Sequence, residues 1–157
     1  MNKIYAGIGS RETPEGICLL MGDIAAYLGK KGFMLRSGDA VGADRSFEFG
    51  ASCGKNYPTE IFEAKDCTEK AMELSSKFHP NWNACSPYAK KLHGRNAMIL
   101  LGKELNKNAD FIVCWTKDGA VVGGTGQALR MAKHYKIPIF NLFFNEVRSK
   151  FIDKLSK

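Results

Sequence analysis

The chain has 157 residues, 45% of them apolar, with a formal charge of +7 and a pI near 9.2. That length carries one well-buried core and is short for two ordinary domains, so residues 1–157 are expected to form a single unit. No run approaches membrane-spanning length, no apolar leader opens the chain, and five cysteines without paired spacing fit reduced thiols, so a cytoplasmic protein with no membrane partner is expected.

The predicted elements alternate between strand and helix. Lys3 to Ile8 reads as a buried strand. Thr13 follows as a plausible N-cap, with Pro14 at the first helical position and Glu15 in the first turn. Ile17, Leu20, Met21, Ile24, Ala25 and Leu28 then recur at helical spacing, and Lys30, Lys31 and Gly32 close the helix. Phe33 to Arg36 is the second strand, Gly42 to Gly54 a shorter helix, and Pro58 to Ala64 a third strand around Ile61 and Phe62. The stretch from Lys65 to Cys85 mixes a helical pattern over Thr68 to Lys77 with a loop holding His79, Pro80, Asn81 and Trp82. Ser86 and Pro87 restart a helix that should run to about Asn106, and Asp110 to Trp115 is a strongly apolar fourth strand with Cys114 in its core. Gln127 to Lys136 is helical, Ile137 to Leu142 is the fifth strand, and Val147, Phe151 and Leu155 form one apolar stripe on a terminal helix. That stripe fits packing on the chain's own sheet or on a second subunit.

Strand, helix, strand at this spacing implies right-handed parallel crossovers. The fold expected is α/β: a doubly wound, mainly parallel sheet of about five strands with helices on both faces, Rossmann-like in design. Ligands of such sheets bind beyond the carboxyl ends of the strands where strand order reverses, here between the first strand and the fourth.

Three glycine-rich segments fall at that edge: Gly7-Ile8-Gly9-Ser10-Arg11, Ser37-Gly38-Asp39-Ala40-Val41-Gly42-Ala43-Asp44, and Gly123-Gly124-Thr125-Gly126. Backbone N–H groups next to a helix N-terminus suit an anion such as phosphate. In the first segment Gly9 allows close approach, Ser10 offers a hydroxyl, and Arg11 a fork that holds phosphate with two hydrogen bonds. The competing reading is that the glycines only permit tight packing and Arg11 is solvated. In the second, Ser37 and Gly38 are placed to meet a ligand, while Asp39 fits a ribose hydroxyl, acid/base chemistry or simply a turn. The third opens a helix, so Gly123, Gly124, Thr125 and Gly126 make the best phosphate site, with Trp115 beside it at the end of the fourth strand. It is neither a Walker A loop nor a dinucleotide fingerprint, so ATPase and dehydrogenase chemistry is poorly supported.

Elsewhere, Cys67, His79, Cys85 and His93 lack zinc-finger spacing, and neither a metal nor a cofactor is expected. Trp82 fits a core anchor better than a base-stacking platform. Lys90, Lys91 and His93 read as a solvated helix face, with Arg95 and Asn96 set apart from it. No Ser/His/Asp or Cys/His order supports a nucleophilic site.

Gly9-Ser10-Arg11, the Ser37 to Asp44 segment, Arg95-Asn96-Ala97-Met98-Ile99 and Gly124-Thr125-Gly126-Gln127-Ala128 together resemble, in motif order, the Rossmann-like core of the DNA-processing protein A family, within the SLOG superfamily. The resemblance spans nearly the whole chain and is most specific over residues 4–50 and 95–142. It implies a stand-alone core, of a size seen in phage and mobile-element proteins, with a pocket for a nucleotide-derived ligand and a homodimeric assembly. In that family the second motif carries a basic residue that Ser37-Gly38-Asp39 and Val41 replace here. The related phosphoribohydrolases carry a catalytic Glu after their glycine loop, at a place that here falls near Arg130. The favoured function is therefore binding of a phosphorylated nucleoside-type ligand, or of the backbone of single-stranded DNA, through Gly9, Ser10, Arg11, Ser37, Gly38, Asp39, Arg95, Asn96, Trp115, Gly123, Gly124, Thr125 and Gly126. Two alternatives stay open. One is a nucleoside-phosphate N-glycosidase, for which Asp39 or Glu12 would supply the carboxylate. The other is sequestration or sensing of a signalling nucleotide.

Overall fold

A computed structural model describes residues 3–53 and 55–157. Five strands, β1 (Lys3–Gly7), β2 (Phe33–Ser37), β3 (Thr59–Ile61), β4 (Phe111–Cys114) and β5 (Ile139–Asn141), form one sheet in the order β3-β2-β1-β4-β5. Every pairing is parallel, so the sheet is fully rather than mainly parallel. Strand order reverses between β1 and β4, where the sequence places it.

Parallel strands with both faces covered read as continuous apolar runs, because alternate side chains enter two different cores. Tyr5, Leu35 and Val113 pack on one face with α1 (Glu15–Lys30), α2 (Ala43–Ser52) and α6 (Asn145–Leu155). Ile4, Ala6, Ile112 and Cys114 pack on the other with α3 (Glu69–Ser76), α4 (Pro87–Leu101) and α5 (Gly123–His134). The stripe of α6 lies on the chain's own core, with Phe151 buried and Val147 and Leu155 partly so. Burial pushes the Cys114 thiol up to about 12, which makes it an inert apolar filler. No helix among the described residues is long and apolar enough to cross a membrane.

Several boundaries differ from the sequence reading, each for a local reason. Thr13 does not cap α1. Pro14 holds that place without a side-chain bond, and the Thr13 hydroxyl donates instead to the Ser10 carbonyl, folding the first glycine loop onto itself. The end of α2 predicted at Gly54 lies outside the described residues; the helix closes at Ser52. Thr68, where the predicted helical pattern begins, caps α3, its hydroxyl accepting from the Ala71 N–H at 3.2 Å. α4 stops at Leu101 rather than near Asn106, because Gly102 turns to a φ of +88° that a side chain would resist. α5 begins at Gly123, four residues before the predicted Gln127. The third glycine segment is therefore the first turn of a helix and not a loop ahead of one.

Candidate functional site

The carboxyl ends of the strands open into a cleft of about 1080 Å³, and all three glycine segments line it. α4 sits at its centre. Arg95 Nη1 donates to the Gly38 carbonyl at 2.7 Å, tying α4 to the β2–α2 loop, and Asn96 Nδ2 donates to the Gly124 carbonyl at 3.3 Å, tying it to α5. The first two loops also touch: a Cβ on Gly42, whose φ is +94°, would lie 3.1 Å from the Ser10 carbonyl oxygen. Asn141, at the end of β5, fixes the far rim by donating to Thr116 Oγ1 at 2.7 Å and accepting from the Thr116 N–H at 3.3 Å.

Gly9, Ser10, Arg11, Glu12, Gly38, Asp39, Arg95, Asn96, Gly123, Gly124 and Thr125 all line the cleft. Three of the sequence candidates lie behind its wall. Ser37 is fully buried and its hydroxyl donates to the Gly7 carbonyl at 2.6 Å. Trp115 packs its ring in the α1/α2/α6 core, offering only its carbonyl to the Ser10 N–H at 3.3 Å. Gly126 is buried, and a Cβ there would lie 2.7 Å from the Val121 backbone.

The glycines separate into two groups. A Cβ on Gly9 would fall 2.6 Å from that of Ala43, and one on Gly38 would strike the Arg95 guanidinium, so packing alone requires both. Gly123 and Gly124 are exposed on the cleft wall with nothing within 4 Å of either ideal Cβ. Gly123 has a φ of +68° that explains it, whereas Gly124 has helical neighbours and open space. No side chain caps this helix start. Its first-turn amides and the positive end of its dipole are thus left to solvent or to an anion. Arg11 is exposed across the cleft and enters no ion pair among the described residues.

The acidic groups form a second layer that the sequence reading missed, apart from Asp39. Asp44 is 4% exposed and accepts from the Ala40 N–H at 3.2 Å. Its burial outweighs the attraction of Arg95 and pushes its carboxyl up to about 6. Glu48, one turn along α2, accepts from the Asp39 N–H at 3.0 Å. Burial and the neighbouring Asp39 charge push it up to about 7. Asp39 has a left-handed φ of 58° and pairs with Arg45 at 3.4 Å. The i, i+4 spacing of Asp44 and Glu48 was the available signal, but charged residues on a short helix ordinarily face solvent. Lys65 and Lys117 also line the cleft, so its cationic and anionic side chains nearly balance. Arg130, where the related hydrolases carry Glu, donates through Nε to the Phe78 carbonyl at 2.8 Å and fastens the end of α3.

A doubly wound parallel sheet with an uncapped helix N-terminus and a free arginine at its switch point defines the general class of Rossmann-like domains with an edge cleft. No family model and no curated protein matches the chain. Among solved structures it is similar to DNA processing protein A from Helicobacter pylori, whose structure is described as revealing a unique single-stranded DNA binding mode. The likeness covers 98% of this chain and 72% of that one at a TM-score of 0.61 and 17% identity, which establishes the shared fold.

Proposed function

We propose that the cleft binds the phosphate of a nucleoside-type ligand, with the first turn of α5 and Arg11 gripping the anion from opposite sides. The observation that carries this reading is the contrast between packed and open glycines: Gly124 has no packing reason to lack a side chain, and it sits where an anion would meet bare amides. Arg11 supplies the charged, bidentate part of the contact. The near balance of charge in the cleft suits one or two phosphates better than a long polyanion.

A second reading has its own support in the fold shared with DNA processing protein A: the same grip would hold one phosphate of a single strand. Titration calorimetry with nucleoside monophosphates, the matching nucleosides and a short oligothymidylate separates the two. The small-ligand reading predicts binding that needs the phosphate and changes little with salt. The strand reading predicts affinity that grows with oligonucleotide length and falls steeply as salt rises. Release of free base during the same incubation would move the assignment to an N-glycosidase, for which Asp39 or Glu12 on the cleft wall would supply the carboxylate. If Arg11→Ala leaves nucleotide and strand binding both intact, the site assignment is wrong.

A further inference from the structure

The spacing of His79, Cys85 and His93 carries no metal motif, yet the fold brings them together. One ligand atom from each lies within 4.8 Å of the others, all three side chains being half-buried. His79 and Cys85 come from the loop between α3 and α4, and His93 from α4 itself. Cys85 Sγ is 3.5 Å from Nε2 and 3.9 Å from Nδ1 of His79. The two imidazoles meet with ring centroids 4.7 Å apart, and Trp82 closes over both at 6.1 and 6.0 Å. Nδ1 of His93 is buried with no hydrogen-bond partner.

We propose that His79, Cys85 and His93 bind a divalent ion of the zinc class. Two imidazoles and a thiolate are the donors such borderline ions select over oxygen-preferring magnesium or calcium. Cys85 Sγ and Nδ1 of His79 lie 3.9 Å apart, and all three ligand atoms lie within 4.8 Å of one another. A roughly tetrahedral ion with bond lengths near 2.0–2.1 Å to nitrogen and 2.3 Å to sulfur would draw such donors in to about 3.5 Å. Protons balance simply. The Asn81 N–H donates to Nδ1 of His79 at 3.0 Å, so the neutral ring carries its proton on Nε2. The ion takes that Nδ1 lone pair in place of the amide, His79 keeps its Nε2 proton, and only the Cys85 thiol proton leaves for solvent. Trp82 restricts both rings and shields the site, as the surroundings of a metal should.

With three protein ligands a fourth position is left for water or an anion, the pattern of a reactive rather than a purely structural site. His93 also lines the main cleft, so the ion would stand at its edge and pin the α3–α4 loop to α4. This inference is independent of the phosphate reading, because none of the three residues belongs to the α5 turn or to the Arg11 loop.

The test is titration of the reduced, full-length chain with cobalt(II), a spectroscopic stand-in for zinc. The expected result is one equivalent bound with a thiolate-to-metal charge-transfer band, displaced by zinc. Cys85→Ser removes the band, while Cys67→Ser and Cys53→Ser, which alter thiols outside the cluster, keep it. Zinc at a hundredfold excess over its dissociation constant raises the melting temperature by about 5 °C in the wild type and not in Cys85→Ser. Circular dichroism verifies that each variant is folded, and His79→Gln provides a second variant that should lose the band. No band at one equivalent, or a band that survives Cys85→Ser, overturns the proposal and leaves the cluster as aromatic packing around Trp82.

Discussion

The β2–α2 loop and the first turn of α5 look alike as sequence, each rich in glycine and each opening a helix, but they are built to different ends. In the β2–α2 loop every strong group has a partner inside the protein: Gly38 yields its carbonyl to Arg95, and Asp44 accepts from Ala40. In the α5 turn Gly124 faces open space and no side chain caps the helix. Glycine in a loop therefore has two causes, close packing and room for a ligand, and only the surroundings of the missing Cβ tell them apart. The first region is a brace, and the second leaves uncapped helix amides on the cleft wall.

Breaking the brace should cost most. Arg95→Ala removes a buried guanidinium from Gly38 and strands Asp44, and a loss of about 3 kcal/mol is expected in denaturant unfolding at pH 7. The loss should shrink at pH 5, where Asp44 can take up a proton. Asp44 itself gives the next largest effect. Its folded value of about 6 lies above its ordinary 3.8, so between those limits the folded form holds a proton that the unfolded form has released. Stability from this group is greatest below about pH 4, falls as pH rises to about 6, and is level above. The difference in unfolding free energy between wild type and Asp44→Asn should trace that slope, roughly 3 kcal/mol across the window. A flat difference would mean that Asp44 is not desolvated.

Gly9→Ala should cost about 1–2 kcal/mol by forcing its methyl against Ala43, and the loss should appear in thermal melts whether or not ligand is present. Arg11→Ala is the smallest change in stability, within about 0.5 kcal/mol, because the side chain is exposed and unpaired. Its effect belongs to binding, where loss of a charge-assisted contact should weaken a nucleoside monophosphate about tenfold.

The alternation of strands, the strand order and both core faces were legible because apolar runs such as Phe111 to Cys114 and the helical spacing from Met21 to Leu28 are dictated by burial. The boundaries at glycine were not. Gly123 to Gly126 are poor helix formers by propensity, yet they make the first turn of α5, where Gly126 passes too close to the Val121 backbone to carry a side chain. The lining of the cleft was legible as three glycine segments and one arginine, but sequence could not show that Ser37 and Trp115 turn inward. Nor could it reveal His79, Cys85 and His93 as one cluster, since their meeting depends on how the α3–α4 loop folds back along α4.

Gly124→Asp tests the central claim most directly, measured by calorimetric titration with a nucleoside monophosphate alongside a thermal melt. A carboxylate in the first turn of α5 satisfies the helix dipole and meets no neighbour, so the melting temperature should hold or rise slightly. It would also occupy the place assigned to the phosphate, and nucleotide binding should be lost. Retained binding with an unchanged melting temperature would contradict the assignment of the α5 turn as the anion site.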